Sequence, residues 1–198
     1  MLAAVILAAG ESSRMGSPKA LATICGKTFV QHLLDATRDH RIGLTRIVLG
    51  SNAKKIQQCL NVEPEFIVVN DQWEKGQLSS IQSAIRSLPE GATEGLILCP
   101  VDHPLISPEL VANLITEFDS SRKELVLPTF HGRRGHPVLF HSDLYSELLA
   151  ASPEVGARQV VWAHESEILE VPTQEEGVVL NLNDPEMLRK ALEKKSAY

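Results

Sequence analysis

The chain has 198 residues, 43% of them hydrophobic and 22% charged, enough for one core that folds without disulfides or a structural metal. Its 19 Lys and Arg against 25 Asp and Glu give a net charge of −6 with no basic run, which excludes a general nucleic-acid or membrane-surface binder. A phosphate-rich substrate then requires positive groups gathered locally, and the sequence gathers them once, near the N-terminus. The first residues carry no charged leader, and Gly10 ends their apolar run well short of a secretory or membrane-spanning length. A cytoplasmic location is expected. Cys25, Cys59 and Cys99 lack C-x-x-C spacing and sit in apolar stretches, which predicts three buried thiols.

Taken in chain order, residues 3–9 read as a buried strand closed by Gly10, and residues 10–19 as a Gly-, Ser- and Pro-rich loop. Thr28 caps a helix carrying Phe29, Leu33, Leu34 and Thr37. A strand follows at 45–50, and either Ser51 or Asn52 starts a helix through Ile56 and Leu60. Residues 66–70 form a strand, 78–88 a helix, and 95–100 another apolar strand. Ser107-Pro108-Glu109 starts the next helix, and 125–127 is strand-like. Short apolar strands alternating with helical patterns predict an α/β fold, three layers deep, with helices on both faces of a mostly parallel sheet. Beyond residue 128 the rhythm changes. Residues 130–140 read as a loop or hairpin ending in a strand at 137–140, followed by helices at 142–150 and 156–163. Strands at 168–171 and 178–182 precede a terminal helix from Asp184 to about Lys194. No linker or repeat divides the chain, so residues 1–198 are expected to form a single domain.

Three stretches carry the chemistry. In Leu7-Ala8-Ala9-Gly10-Glu11-Ser12-Ser13-Arg14-Met15-Gly16-Ser17-Pro18-Lys19, a buried strand delivers a small-residue loop to the carboxyl edge of a sheet, where ligands of open α/β folds bind. Small residues let backbone N–H groups approach phosphate oxygens, and Arg14 and Lys19 supply positive charge. In Leu98-Cys99-Pro100-Val101-Asp102-His103-Pro104, a strand ends in a carboxylate placed to hold Mg²⁺ against phosphates; His103 reads as a polar loop residue. In Asn181-Leu182-Asn183-Asp184-Pro185, period-two spacing points both amides to one face, and Asp184 can cap the next helix. Gly26-Lys27-Thr28 ends like a P-loop, but Leu21 stands where the required glycine would be.

The first stretch resembles the Leu-Ala-Ala-Gly…Arg-Met-Gly…Lys signature of nucleotidyltransferases that activate sugars, isoprenoid precursors and molybdopterin, the MobA-like NTP transferase family. The resemblance implies a Rossmann-like nucleotidyltransferase fold. It also implies a loop (Leu7, Ala8, Ala9, Gly10, Ser12, Ser13, Arg14, Gly16 and Lys19) that wraps the triphosphate. Asp102 matches the family's metal-binding Asp-x-Pro. Asn183 would complete the Mg²⁺ site with Asn181 in reserve, although Asp184 departs from the family's usual Thr. Residues 70–80 resemble the segment passing the nucleobase. There Gly76 permits close approach and Gln77, Ser79 or Ser80 could bond a base edge, each serine being equally a helix cap.

Arg133-Arg134-Gly135-His136-Pro137-Val138 resembles the acceptor-side stretch of molybdenum cofactor cytidylyltransferases, as does Gly156-Ala157-Arg158. The acceptor side then spans about residues 129–165, with Arg133, Arg134, Gly135 and His136 facing a phosphorylated pterin. The resemblance implies a Mg²⁺-dependent enzyme, with Arg14, Lys19 and Asp102 as its catalytic residues. It would transfer a nucleoside monophosphate to molybdopterin or another phosphorylated small molecule and release pyrophosphate. Ala9 favours CTP, whereas Asn181-Leu182-Asn183 looks more like the guanylyl version, leaving GTP and ATP open. A molybdoenzyme is a further partner to consider. Two other readings stand beside this one: a non-catalytic molybdopterin carrier, and a nicotinamide-dependent reductase, against which the missing G-x-G-x-x-G turn argues.

Overall fold

In the computed structural model, which describes residues 1–12 and 15–189, strand β1 (Leu2–Ala8) is buried along its entire length between two parallel neighbours. A continuous apolar run is what a strand covered on both faces requires. A short hairpin follows, β2 (Thr23–Ile24) and β3 (Lys27–Thr28), turning at Cys25 and Gly26, which both have positive φ. Two-residue turns of that hand match the twist of the strands they join.

Helix α1 (Phe29–Ala36) starts from a reciprocal cap: Gln31 N–H donates to Thr28 Oγ1 at 3.2 Å, and Thr28 N–H donates to Gln31 Oε1 at 2.8 Å. Then come β4 (Ile42–Leu49), α2 (Ala53–Cys59), β5 (Ile67–Val69), α3 (Gln77–Ser87) and β6 (Gly95–Pro100). Helix α4 (Pro108–Ser121) is capped by Ser107, whose Oγ accepts from Leu110 N–H at 3.0 Å. The remaining elements are β7 (Leu125–Phe130), β8 (Arg133–Arg134), β9 (Val138–His141), α5 (Tyr145–Ala150), α6 (Arg158–Ala163) and β10 (Ile168–Pro172).

The main sheet runs β10-β7-β9-β6-β1-β4-β5, with β8 paired to β7. Among its described strands, β8 and β9 run against their neighbours, and the other pairings are parallel. The fold is thus the expected α/β nucleotidyltransferase arrangement. Alternate residues of β1 face opposite layers. Ala4, Ile6 and Ala8 join Phe29, Leu33, Ile56 and Leu114 in one core, while Ala3, Val5 and Leu7 join Leu78, Ile81 and Leu148 in the other.

Three expectations need correction. Residues 178–182 do not form a strand: a 3₁₀ turn at Glu176–Val178 leads into irregular chain, although Val178 and Leu182 are fully buried. Their apolar character is used against the loop after β6, not in a ladder, and Leu182 N–H donates to Asp102 C=O at 2.8 Å. Only Cys99 is a buried thiol. Cys25 is exposed at the hairpin turn and Cys59 at the end of α2. Gly26-Lys27, whose sequence reads as a short turn before the first long helix, belongs to a hairpin in which Thr23 pairs with Thr28 and Ile24 with Lys27. The terminal helix is present over residues 185–189, and its expected continuation lies outside the described residues.

Gly177 is where this returning segment meets the β6 loop, and a Cβ there would stand 2.0 Å from Leu105 O. Backbone cannot yield as a flexible side chain does. Gly177→Ala should therefore cost about 1–3 kcal/mol, seen as a lower urea midpoint; an unchanged midpoint would contradict this packing.

Candidate active site

Register places the first two chemical stretches together. Leu7 pairs with Pro100, and Val101 N–H donates to Leu7 C=O at 3.0 Å, so the Gly10 loop and Asp102 leave the same edge of the sheet. The Leu182–Asp102 hydrogen bond brings in the third, with Asn181 and Asn183 on either side of the contact. Lys19 closes the group: its ammonium donates to Asn183 Oδ1 and lies 3.6 Å from Asp102 Oδ2. The two charged side chains are only 16% and 20% exposed, so water screens their attraction incompletely. The loop holds the backbone of Lys19 in place, since its N–H donates to Ser12 Oγ at 3.0 Å.

A cavity of ≈ 330 Å³ opens beside this cluster. Leu7, Ala9, Gly10, Ser12 and Lys19 form one side; Trp73, Glu74, Gly76, Gln77 and Ser80 form the other, with Val101 between them. Gly76, at φ 94°, has a conformation that other residues rarely adopt, and it introduces α3. Asn70 anchors this wall from below: its buried amide donates to Ser79 Oγ at 2.8 Å and Ser80 Oγ at 3.0 Å. Ser79 Oγ in turn donates to the carbonyls of Gln72 and Gly76.

A second cavity, ≈ 380 Å³, lies on the other side of Gln77. Leu78, Leu98, Val138, Phe140 and Val161 contribute apolar walls, and Gln77, His136 and Arg158 add polar groups. His136 packs on His103, ring centroids 4.9 Å apart. Burial, and then the neighbouring His103, hold His136 down at about 4, and burial likewise lowers His103. Nδ1 of each ring and Oδ1 of Asn181 are buried without a hydrogen-bond partner. Both imidazoles are therefore neutral near pH 7.

The donors around Lys19 are a carboxylate and an amide oxygen, hard ligands of the kind Mg²⁺ and Ca²⁺ take. They already surround a positive group. Among the described residues no cluster of three or more His, Cys, Asp or Glu forms an all-protein cage, and Mg²⁺ rarely uses one, taking one or two carboxylates plus substrate phosphates. The residues fit such an ion.

The family model for the MobA-like NTP transferase domain matches residues 4–168. The chain belongs to that family. It is 32% identical over 165 residues to a nicotine blue oxidoreductase of Paenarthrobacter nicotinovorans, covering 78% of each chain. To a protein of Natranaerobius thermophilus named probable molybdenum cofactor guanylyltransferase it is 28% identical over 131 residues, 66% of this chain and 62% of that one. Bifunctional protein GlmU of Desulfitobacterium hafniense (strain Y51) is 38% identical over 115 residues, 57% of this chain. The match spans 24% of GlmU, so the chain covers about a quarter of that relative. Among solved structures, Rv0371c of Mycobacterium tuberculosis superposes with a TM-score of 0.81 at 24% identity, covering 97% of each chain. The same mycobacterial protein is known as a manganese complex.

Within this MobA-like domain, the structure brings most of the sequence-derived site together. Leu7, Ala9, Gly10, Ser12, Lys19, Gly76, Gln77 and Ser80 line the first cavity. Ala8 faces the opposite core, as alternation along a strand requires. Gly16 sits in the turn beyond, at φ 67°, and Ser79 is consumed by the Asn70 network. Ser13 and Arg14 lie outside the described residues.

The acceptor-side set is divided. His136 lines the second cavity, whereas Arg133 and Arg134 do not. Arg134 forks onto Glu165 at 2.6 and 3.0 Å and onto Glu170 at 2.7 Å, which raises its pKa further above the ordinary range. Arg133 is exposed. Gly135 is packed under the Val178 carbonyl, 2.4 Å from where a Cβ would stand. Arg158 supplies the positive charge instead. Sequence reasoning also missed His103, which is 7% exposed.

The neutral His136 carries a pH consequence. The unfolded chain takes up this proton near 6.5 and the folded chain only near 4, so the unfolded state holds more protons in between and stability falls as pH drops. The loss reaches at most about 3 kcal/mol. Urea midpoints between pH 7 and 4 should fall less steeply for His136→Gln than for the parent; parallel slopes would contradict the assignment.

Proposed function

We propose that this MobA-like domain transfers CMP from CTP to a phosphorylated acceptor, molybdopterin by preference, and releases pyrophosphate. The observation that carries the reading is the Lys19–Asp102–Asn183 cluster beside a cavity that meets a second cavity at Gln77. One cavity suits the nucleotide, and the other, which combines apolar walls with Gln77, His136 and Arg158, suits an acceptor with both apolar and polar or anionic groups. The relative named molybdenum cofactor guanylyltransferase supports the acceptor class. Ala9, whose side chain lines the first cavity, supports a pyrimidine.

In the proposed reaction a phosphate oxygen of the acceptor forms a bond to the α-phosphorus. The bond from that phosphorus to the β-bridging oxygen breaks, and pyrophosphate leaves with the electron pair. The nucleophile is already ionised near neutral pH, so a general base is not required. Lys19, and Arg14 from the same loop, neutralise the triphosphate. Gln77 stands where the two substrates meet and orients them, and the small residues at 9 and 10 let backbone N–H groups approach phosphate. Asp102 and Asn183 would hold Mg²⁺, which would supply charge neutralisation for the phosphates; the manganese complex of Rv0371c supports a divalent ion.

The nicotine blue oxidoreductase relative favours a second reading, in which the same cavity takes a nicotinamide dinucleotide. Pyrophosphate release from CTP, GTP and ATP, each with Mg²⁺ and molybdopterin, separates the two. Release with CTP is the expected result. Absence of release with every nucleotide, together with NAD(P)H oxidation, would replace the transferase reading. Asp102→Ala should lower kcat by at least about 100-fold while the thermal midpoint stays near the parent's. Full Mg²⁺-dependent turnover in that variant would sink the assignment. Ala9→Gly should raise the ratio of kcat/KM for GTP over CTP by about tenfold or more, the range set by one methyl-sized change in a pocket. An unchanged ratio would remove Ala9 as the selector.

A further inference from the structure

The ammonium of Lys19 sits between the two side chains assigned to the metal. It donates to Asn183 Oδ1 and stands 3.6 Å from Asp102 Oδ2, in surroundings where both charges are largely withdrawn from water. An ammonium and a divalent cation compete for those oxygens. Two positive charges within about 4 Å repel, and each disfavours the other's presence. We propose that Lys19 is the resident cation of the free protein, holding the place that the divalent ion takes, so that the metal site becomes available only when a triphosphate draws Lys19 away. This rests on the metal-site part of the transferase reading and adds an order of binding to it.

The geometry supplies both halves of the exchange. Lys19 also lines the nucleotide cavity, so a triphosphate there offers its ammonium new negative partners without a long journey. Its backbone is tied to Ser12 Oγ at 3.0 Å, and the four-carbon stem can swing while the loop stays in place. Asp102 and Asn183 are set by a separate constraint, the Leu182 N–H to Asp102 C=O hydrogen bond at 2.8 Å, which does not depend on Lys19. The segments that carry the two ligands therefore stay together when the lysine departs. His103 Nε2 lies 4.0 Å from Asp102 Oδ1, the carboxylate oxygen other than the one Lys19 faces. Because linkage is reciprocal, a nucleotide that removes Lys19 raises metal affinity, and bound metal raises nucleotide affinity by the same factor.

The test needs no nucleotide and no turnover. Mn²⁺ is titrated into the full chain, and free ion is read from its electron paramagnetic resonance signal. Lys19→Gln should bind Mn²⁺ at least about tenfold more tightly than the parent, within the range usual for coupled sites. Lys19→Met, of similar reach and no charge, should show the same gain, so that misfolding of one variant does not decide the matter. Adding Asp102→Asn to Lys19→Gln should abolish the gain. Equal or weaker Mn²⁺ binding in both lysine variants overturns the proposal, and so does a gain that survives Asp102→Asn. A gain with the expected dependence on Asp102, in a chain that releases no pyrophosphate from any nucleotide, would uphold the cation exchange while ending the transferase reading.

Discussion

The pairing of β1 with β6 is the constraint on which the site depends. Both strands are buried throughout and lie in parallel register, with Leu7 opposite Pro100. In a parallel pair buried on both faces, sliding by one residue would turn every side chain to the wrong layer. That penalty fixes the register, and the register fixes where each chain leaves the sheet. The glycine loop and Asp102 emerge side by side because Ala4, Ile6 and Ala8 must face one core and Ala3, Val5 and Leu7 the other. The placement of charge at the edge is inherited from apolar packing in the middle.

Around that edge, polar groups are satisfied in two different ways. The wall formed by residues 70–80 is internally complete. Asn70 bonds both Ser79 and Ser80, and Ser79 bonds two carbonyls, giving α3 a rigid start beside the cavity. Polar networks of this kind stiffen a structure only when every member has a partner. The His103–His136 side is looser: His103, His136 and Asn181 each keep a buried atom with no partner among the described residues. Arg134, which the sequence offers as a ligand for phosphate, is instead a brace between β8 and the Glu165–Glu170 segment. The charge lining that cavity comes from Arg158, at the start of α6.

What the sequence made legible follows from the range of the forces involved. The sheet strands through β7 and the starts of α1 and α4 are written locally, in apolar runs, in Thr28 with Gln31, and in Ser107 with Pro108. The loop from Gly10 to Lys19 and the carboxylate at Asp102 are likewise legible, because strand ends bring their neighbours with them. Tertiary contacts decide the rest. Residues 178–182 have the composition of a strand, yet their partner is the loop after β6, and Gly177 is the residue that lets the two backbones touch. The β2–β3 hairpin has two residues per strand, too few for a periodic signal. Cys25 sits in apolar sequence but occupies a tight turn, which takes it to the surface. His103 gave no sign of its burial because the segments covering it, around Gly177 and His136, lie far along the chain.

Lys19 and Asn183 are separated by 164 residues of chain. Segments this distant meet late in folding, after most of the loop-closure entropy has been lost. On the ribosome, where N-terminal parts emerge first, the central strands can settle well before Asn183 exists. Until Asn183 has been made, Lys19 lacks that amide partner. Completion of this contact works as a finishing stitch: an N-terminal fragment can possess the entire sheet and still lack the cluster at its edge.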